Sequence, residues 1–264
     1  MNNRLSVFLS LLVLGLLLDS SVSFMPRIDL RRSVTYLPSK NDAILECKTF
    51  DTQDLLKQNL LRLAASYDRG FGASNKAREE ANQIIQDLER CNTEQQASRG
   101  MDGTGRSPLR GTWRMIWTTA SDVLVLAASP VAALGAIYQI FEPPLVTNVI
   151  DFSPRVQALF PPNIVPSTVL RANVQTRAAI RPENSNRVGL VFEKVNLQPL
   201  QLFGQSIDVF PPLGLDLPKL PGTTEASSGP GYFDVTYLDT DLLIIRQNAP
   251  GGLFALIKVD STDV

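Results

Sequence analysis

Histidine is missing from all 264 residues of the chain. Its absence removes Ser-His-Asp triads, His-containing zinc sites and imidazole general bases together. Cysteine is nearly as scarce. Cys47 and Cys91 are too few for a thiolate metal cluster or a disulfide framework, and we read them as free structural thiols, because reducing compartments rarely keep a disulfide. Charge is low too, at 19% of residues with a net of −1, and no basic stripe is present to meet nucleic acid. There is no Walker loop, no Gly-x-Gly-x-x-Gly behind a strand and no activated-nucleophile motif, and the glycines of 100–105 read as linker. The expectation is a protein that is not an enzyme and needs no cofactor or metal.

What is present begins with an address. Arg4 is a small positive start, residues 5–18 are an unbroken apolar run, and 20–23 are small residues fit for cleavage. The run is short for a bilayer span, so 1–23 reads as a signal peptide, with an uncleaved anchor as the alternative. Behind it, Ser23-Phe24 opens a basic, acid-poor stretch to about residue 50. A small residue, Phe and then such a stretch resembles the bipartite plastid presequence of algae with secondary plastids, a signal peptide followed by a transit peptide.

The rest, 51–264, reads as one domain, its 44% hydrophobic content being ample for a core. Two amphipathic helices are expected within 51–91. One covers 52–69, capped by Asp51 and buried through Leu56, Leu60, Leu63 and Ala64. The other covers 75–90, capped by Ser74 and buried through Ala77, Ala81, Ile84, Ile85 and Leu88. Their polar faces lack the Lys/Arg density of membrane-surface helices, so they are expected to pack on the domain. A polar linker, 92–107, leads to β structure over 109–259. Expected strands include 112–118, 146–152, 169–180 and 187–196, the last two joined by the turn formers of 182–186. Residues 199–230, rich in Pro and Gly, read as loop.

Helices first and about seven short strands after them argue α+β, with the sheet closed into an antiparallel barrel that leaves no edges. Alternation places Trp113, Met115 and Trp117 on one face, Val188, Leu190 and Phe192 on another, and Phe233, Val235 and Tyr237 on a third. The nearly all-apolar stretch 123–141 is read three ways: a membrane span, a buried insert or a lipid-dipping lid. Asp234, Asp239 and Asp241 are the one carboxylate cluster to weigh for acid–base work. Asp239 and Asp241 bracket a hairpin turn, where Asp serves its own backbone, so turn chemistry accounts for them.

Two motifs carry a family resemblance. Leu109-x-Gly111-x-Trp113-x-Met115-x-Trp117-Thr118-Thr119, and Gly231-Tyr232-Phe233-Asp234-x-Thr236-Tyr237-Leu238-Asp239-x-Asp241-Leu242 followed by Arg246 and Gly252-x-Phe254-x-Leu256, resemble the fibrillins, the plastid lipid-associated proteins or plastoglobulins. The resemblance covers about residues 50–259. Leu243 stands where that family usually has a basic residue, and Tyr232 where Trp is commoner. Gly111-x-Trp113 is also similar to the first strand of lipocalins, where a basic side chain from the last strands packs on the Trp; Arg246 and Lys258 are the candidates here.

The resemblance implies a helical pair on a lipocalin-like barrel in a plastid, at thylakoids or plastoglobules. The implied function is non-enzymatic binding of hydrophobic molecules such as prenylquinones, carotenoids or fatty acids. The expected lining is Trp113, Met115, Trp117, Phe192, Phe233, Tyr237 and Phe254, and the expected partners are those molecules and a peripheral membrane or lipid-droplet surface. Two alternatives stand beside it: a droplet coat protein without a pocket, and a scaffold for a lipid-synthesis enzyme.

Overall fold

The computed structural model describes residues 50–264 except 162, 208–211, 217–225, 228, 230, 249 and 250. The presequence expected over 1–50 lies, but for Phe50, outside the described residues.

The apolar stripes named above make two helices, α1 (Phe50–Ser66) and α2 (Asn75–Arg90). Leu60, Leu63 and Ala64 of α1 meet Ala81, Ile84, Ile85 and Leu88 of α2 in one buried cluster. The Ser74 hydroxyl accepts a 3.3 Å bond from the Ala77 N–H, as a cap should. The boundaries of α1 differ from expectation: Asp51 lies inside it, and it stops at Ser66 rather than Arg69. Arg69 and Gly70 take positive φ, 59° and 95°, which ends helical winding. The Arg69 guanidinium then donates to the Gly135 and Leu134 carbonyls of the barrel. Cys91, just past α2, is disulfide-bonded, which corrects the reading of free thiols. A compartment argument says nothing about whether two points of a chain meet.

The strands are β1 (Gly111–Thr118), β2 (Ala132–Glu142), β3 (Leu145–Pro154), β4 (Val169–Ile180), β5 (Arg187–Leu202), β6 (Gln205–Ser206), β7 (Leu213–Asp216), β8 (Tyr232–Leu238), β9 (Leu242–Gln247) and β10 (Gly252–Val259). Their order is β4-β3-β2-β1-β10-β9-β8-β5, and β5 pairs back with β4, closing an eight-stranded antiparallel barrel. The α+β, lipocalin-like architecture is therefore present. β6 and β7 are short additions along the long β5.

The stretch 123–141 is neither one helix nor one strand. It divides into α3 (Ser121–Ala127) and β2, and no helix among the described residues is long and apolar enough to cross a membrane. The loop expected from residue 199 also begins late, since β5 continues to Leu202.

One end of the barrel is closed. The segment read as linker folds over it, burying Ala97 and Met101 completely, and the Asn186 side chain accepts from the Ala97 N–H at 2.9 Å. The other end carries α3, the connection 155–168 and the β5–β6 hairpin. Arg155 ties these together, donating to the Ala127, Ser129 and Ala132 carbonyls.

Candidate functional site

Trp113 sits at the closed end of the barrel interior. It is wholly buried, with its indole N–H donating to the Leu109 carbonyl at 2.9 Å. Lys258, directly across from it in register on β10, places its ammonium 5.3 Å from the ring centroid, a cation–π geometry. Gly111 makes room for this. Its φ is 134°, and a Cβ there would lie 3.0 Å from Lys258 Cε. The other candidate, Arg246, instead holds Glu89 of α2 through two bonds of 2.7 and 2.8 Å.

The seven expected lining residues divide between two faces. Trp113, Phe233 and Phe254 belong to the inner cluster, with Phe141, Val146 and Val188. Met115 shares the face of Trp113, and Phe192 that of Val188. Trp117 and Tyr237 do not join them: both lie in the outer cluster, under α1 and α2. The cause is a pair of β-bulges. Met115 pairs with Leu256 but Trp117 with Ala255, so Ile116 is an extra residue. Likewise Val235 pairs with Ile245 but Tyr237 with Ile244, leaving Thr236 extra. One added residue turns every later side chain to the opposite face.

The inner residues toward the closed end are packed; Trp113, Met115 and Phe233 are 2% exposed or less. The open end is different. There Phe152 and Ala172 are buried, but Leu134, Ile150, Leu170 and Leu197, on the same inward face, are only partly so. These inward side chains keep contact with solvent, and the packed inner cluster of the closed end does not extend to them. Sequence reasoning missed these residues, although Ile150 and Phe152 alternate within a strand it did find. Two amides, Gln139 of β2 and Asn148 of β3, stand directly opposite each other in register, two residues inward of the paired Phe141 and Val146. They lie on the inner wall between the packed and open regions. A groove of about 460 Å³ also runs outside the barrel between α2 and β9–β10, lined by Asn82, Gln86, Arg246 and Leu253 among others; it does not reach the lumen.

The carboxylates have structural work. Asp234 takes a two-pronged bond from Arg187 at 2.7 and 2.9 Å, and that guanidinium lies 4.0 Å from the Tyr232 ring centroid. Asp239 accepts from the backbone of Asp241 and Leu242, from Tyr237 Oη at 2.6 Å, and from Lys57 of α1. No group of three or more His, Cys, Asp or Glu among the described residues is placed to hold a metal.

Burial works to raise the Asp239 carboxyl, but Lys57, Tyr237 and the two N–H donors outweigh it and leave its pKa lowered. Tyr237 is shifted up, first by burial and then by its bond to Asp239. The signs give two limbs. Stability from Asp239 is present above its ordinary 3.8 and is lost as pH falls below that; stability from Tyr237 is present below its ordinary 10.0 and is lost as pH rises above it. Urea midpoints measured against pH should fall on both sides, and Tyr237→Phe should flatten the alkaline limb. An alkaline limb unchanged in that variant would dissociate Tyr237 from it.

Comparison with known proteins follows the same lines. The PAP_fibrillin family model matches residues 54–257. A protein named probable plastid-lipid-associated protein 3, chloroplastic, from Oryza sativa subsp. japonica is 26% identical over 239 residues, covering 78% of this chain and 59% of that protein. The chain thus spans about three-fifths of that relative. A protein named probable plastid-lipid-associated protein 10, chloroplastic, from Arabidopsis thaliana is 25% identical over 233 residues, covering 76% of each. No solved structure matches.

Proposed function

The chain belongs to the PAP_fibrillin family, and from that premise we propose that it binds hydrophobic plastid molecules, such as prenylquinones, carotenoids or fatty acids, in the open half of its barrel without catalysing their conversion. The observation that carries this reading is the inner wall toward the open end, where Leu134, Ile150, Leu170 and Leu197 face inward in register and stay partly exposed. An apolar surface inside a closed barrel buries most of a ligand placed there, at about 25 cal/mol per Å² removed from water. The lining narrows accordingly. Phe192 and Phe254 remain candidates beside these four, Trp113, Met115 and Phe233 form the floor, and Trp117 and Tyr237 leave the set. Plastid residence, at thylakoids or plastoglobules, is proposed from the chloroplastic names of the two relatives.

A coat role on lipid droplets is the second reading. It is favoured by exposed apolar side chains around the same open end, including Val131, Leu159, Ile164 and Phe203. Organic extraction of the protein purified from its own plastids, followed by mass spectrometry, separates the two. One lipid species near one per chain is the expected result. A heterogeneous mixture without stoichiometry would leave the coat as the better account.

A further inference from the structure

We propose that Gln139 and Asn148 form a polar anchor inside the barrel for the uncharged, oxygen-bearing head of an elongated apolar molecule, its tail running to the open end. This rests on the reading of the lumen as a binding site and names the chemistry of its inner limit.

The orientation follows from register. Gln139 pairs with Trp113 on one side and with Asn148 on the other. It lies two residues from Phe141, and Asn148 two from Val146, and both of those belong to the inner cluster with no bulge intervening. The two side chains therefore share the lumen wall. Gln139 is 8% exposed. Asn148 is partly buried, and neither amide has a side-chain hydrogen-bond partner among the described residues.

The neighbouring layer shows that the fold satisfies inward polar groups where it needs to. Thr176 is wholly buried on the same wall, and its hydroxyl donates to the Val146 carbonyl at 2.8 Å. Gln139 and Asn148 have no such arrangement. An amide without a protein partner on a largely apolar wall forgoes a hydrogen bond, whereas leucine in its place would simply extend the apolar wall. Their retained hydrogen-bonding capacity is what a ligand can use.

Charge restricts the ligand further. Of the inward positions around the amides, Ile137, Phe141, Val146, Ile150, Val174 and Val195 are apolar, and Thr176 has its hydroxyl engaged by Val146. Among the described residues the cation in inward register is Lys258, exposed and held over Trp113. A carboxylate head would lose its water here without gaining a partner ion. A carbonyl would receive an amide N–H, and a hydroxyl could donate to an amide oxygen as well. A pure hydrocarbon would leave the amides unmatched. Phe152, in the open-end cluster, is four residues beyond Asn148, so a tail has about 13 Å of strand to follow.

The test uses the full chain and three probes with the same tail: decylbenzoquinone, decanoate and decylbenzene, titrated by calorimetry. The quinone should bind the wild type about tenfold tighter than either of the others, as two added hydrogen bonds allow. In the double variant Gln139→Leu, Asn148→Leu that preference should vanish. The quinone should weaken about tenfold while decylbenzene binds at least as well as before. Equal quinone binding in wild type and variant overturns the anchor, and so does a wild type that prefers decanoate. If the variant does not fold, the wild-type order of the three probes decides alone, and no preference for the quinone overturns the proposal. A wild type that binds none of them saturably overturns the lumen reading together with the anchor; one that binds all three equally keeps the lumen and loses the anchor.

Discussion

Trp117→Ala should destabilise the protein by ~3–5 kcal/mol while leaving the binding of an apolar probe unchanged. The indole is wholly buried among Leu60, Leu63, Ile85 and Leu88 of the two helices. A Cβ on Gly70 would lie 3.5 Å from it, so the helix-to-barrel joint is built around its ring. Removing the ring leaves a cavity that two helices and a strand cannot all close in to fill. Probe binding is spared because the bulge at Ile116 puts the ring outside the barrel wall. Trp117→Phe is the informative companion. Among the described residues the Trp117 Nε1 finds no hydrogen-bond partner, so phenylalanine loses some packing and also removes an unmatched buried donor. Its cost should be less than half that of alanine. Urea unfolding with a constant slope measures both. Lost probe binding with little destabilisation would return Trp117 to the lumen and contradict the bulge.

The same bulge marks where the sequence stops being legible. Alternation identifies a strand face when one face is wet, and β8 through β1 are covered on both sides, by helices outside and by the inner cluster within. Apolar residues then occupy both parities, and an extra Ile116 or Thr236 leaves no trace in the pattern. Trp113 was legible for the opposite reason. Its glycine two residues earlier and its basic partner on the last strand are discrete chemical requirements rather than a period, and Gly111 and Lys258 meet them. The Ser74 cap and the stripe of α2 were legible because an amphipathic helix against solvent has one wet face. Strand β2 was hidden in 123–141 by Ala133, Gly135 and Ala136, poor strand formers whose place is settled by pairing with β3. Asn148 was missed because it inverts the rule the pattern relies on, a polar side chain on an inward face. Such inversions are expected where a site is built.

Gly252→Ala should cost about 3 kcal/mol or more and loosen the seam between β1 and β10. Gly252 opens the Gly-x-Phe-x-Leu motif with φ at 134°, a region closed to other residues at low energy. A Cβ built there would lie 2.5 Å from Ala120 Cα and 2.7 Å from Ala120 Cβ. Ala120 cannot retreat easily, being wholly buried, with its N–H bonded to Thr118 Oγ1 at 3.0 Å. The same few residues latch the two strands. Thr118 Oγ1 donates to the Leu253 carbonyl at 3.0 Å, and the Leu253 N–H donates to Thr119 Oγ1 at 3.1 Å. β1 and β10 are the first and last strands of the barrel, so this latch joins its two ends in the chain. Gly251→Ala is the control. Its φ is 90°, but a Cβ there meets nothing within 4 Å, so it should lose only the backbone term, about 1 kcal/mol. Amide hydrogen exchange should quicken along β1 and β10 in Gly252→Ala and hardly change in Gly251→Ala. If the two variants lose equal stability, backbone conformation alone accounts for the motif glycine, and the approach to Ala120 carries none of the seam's strength.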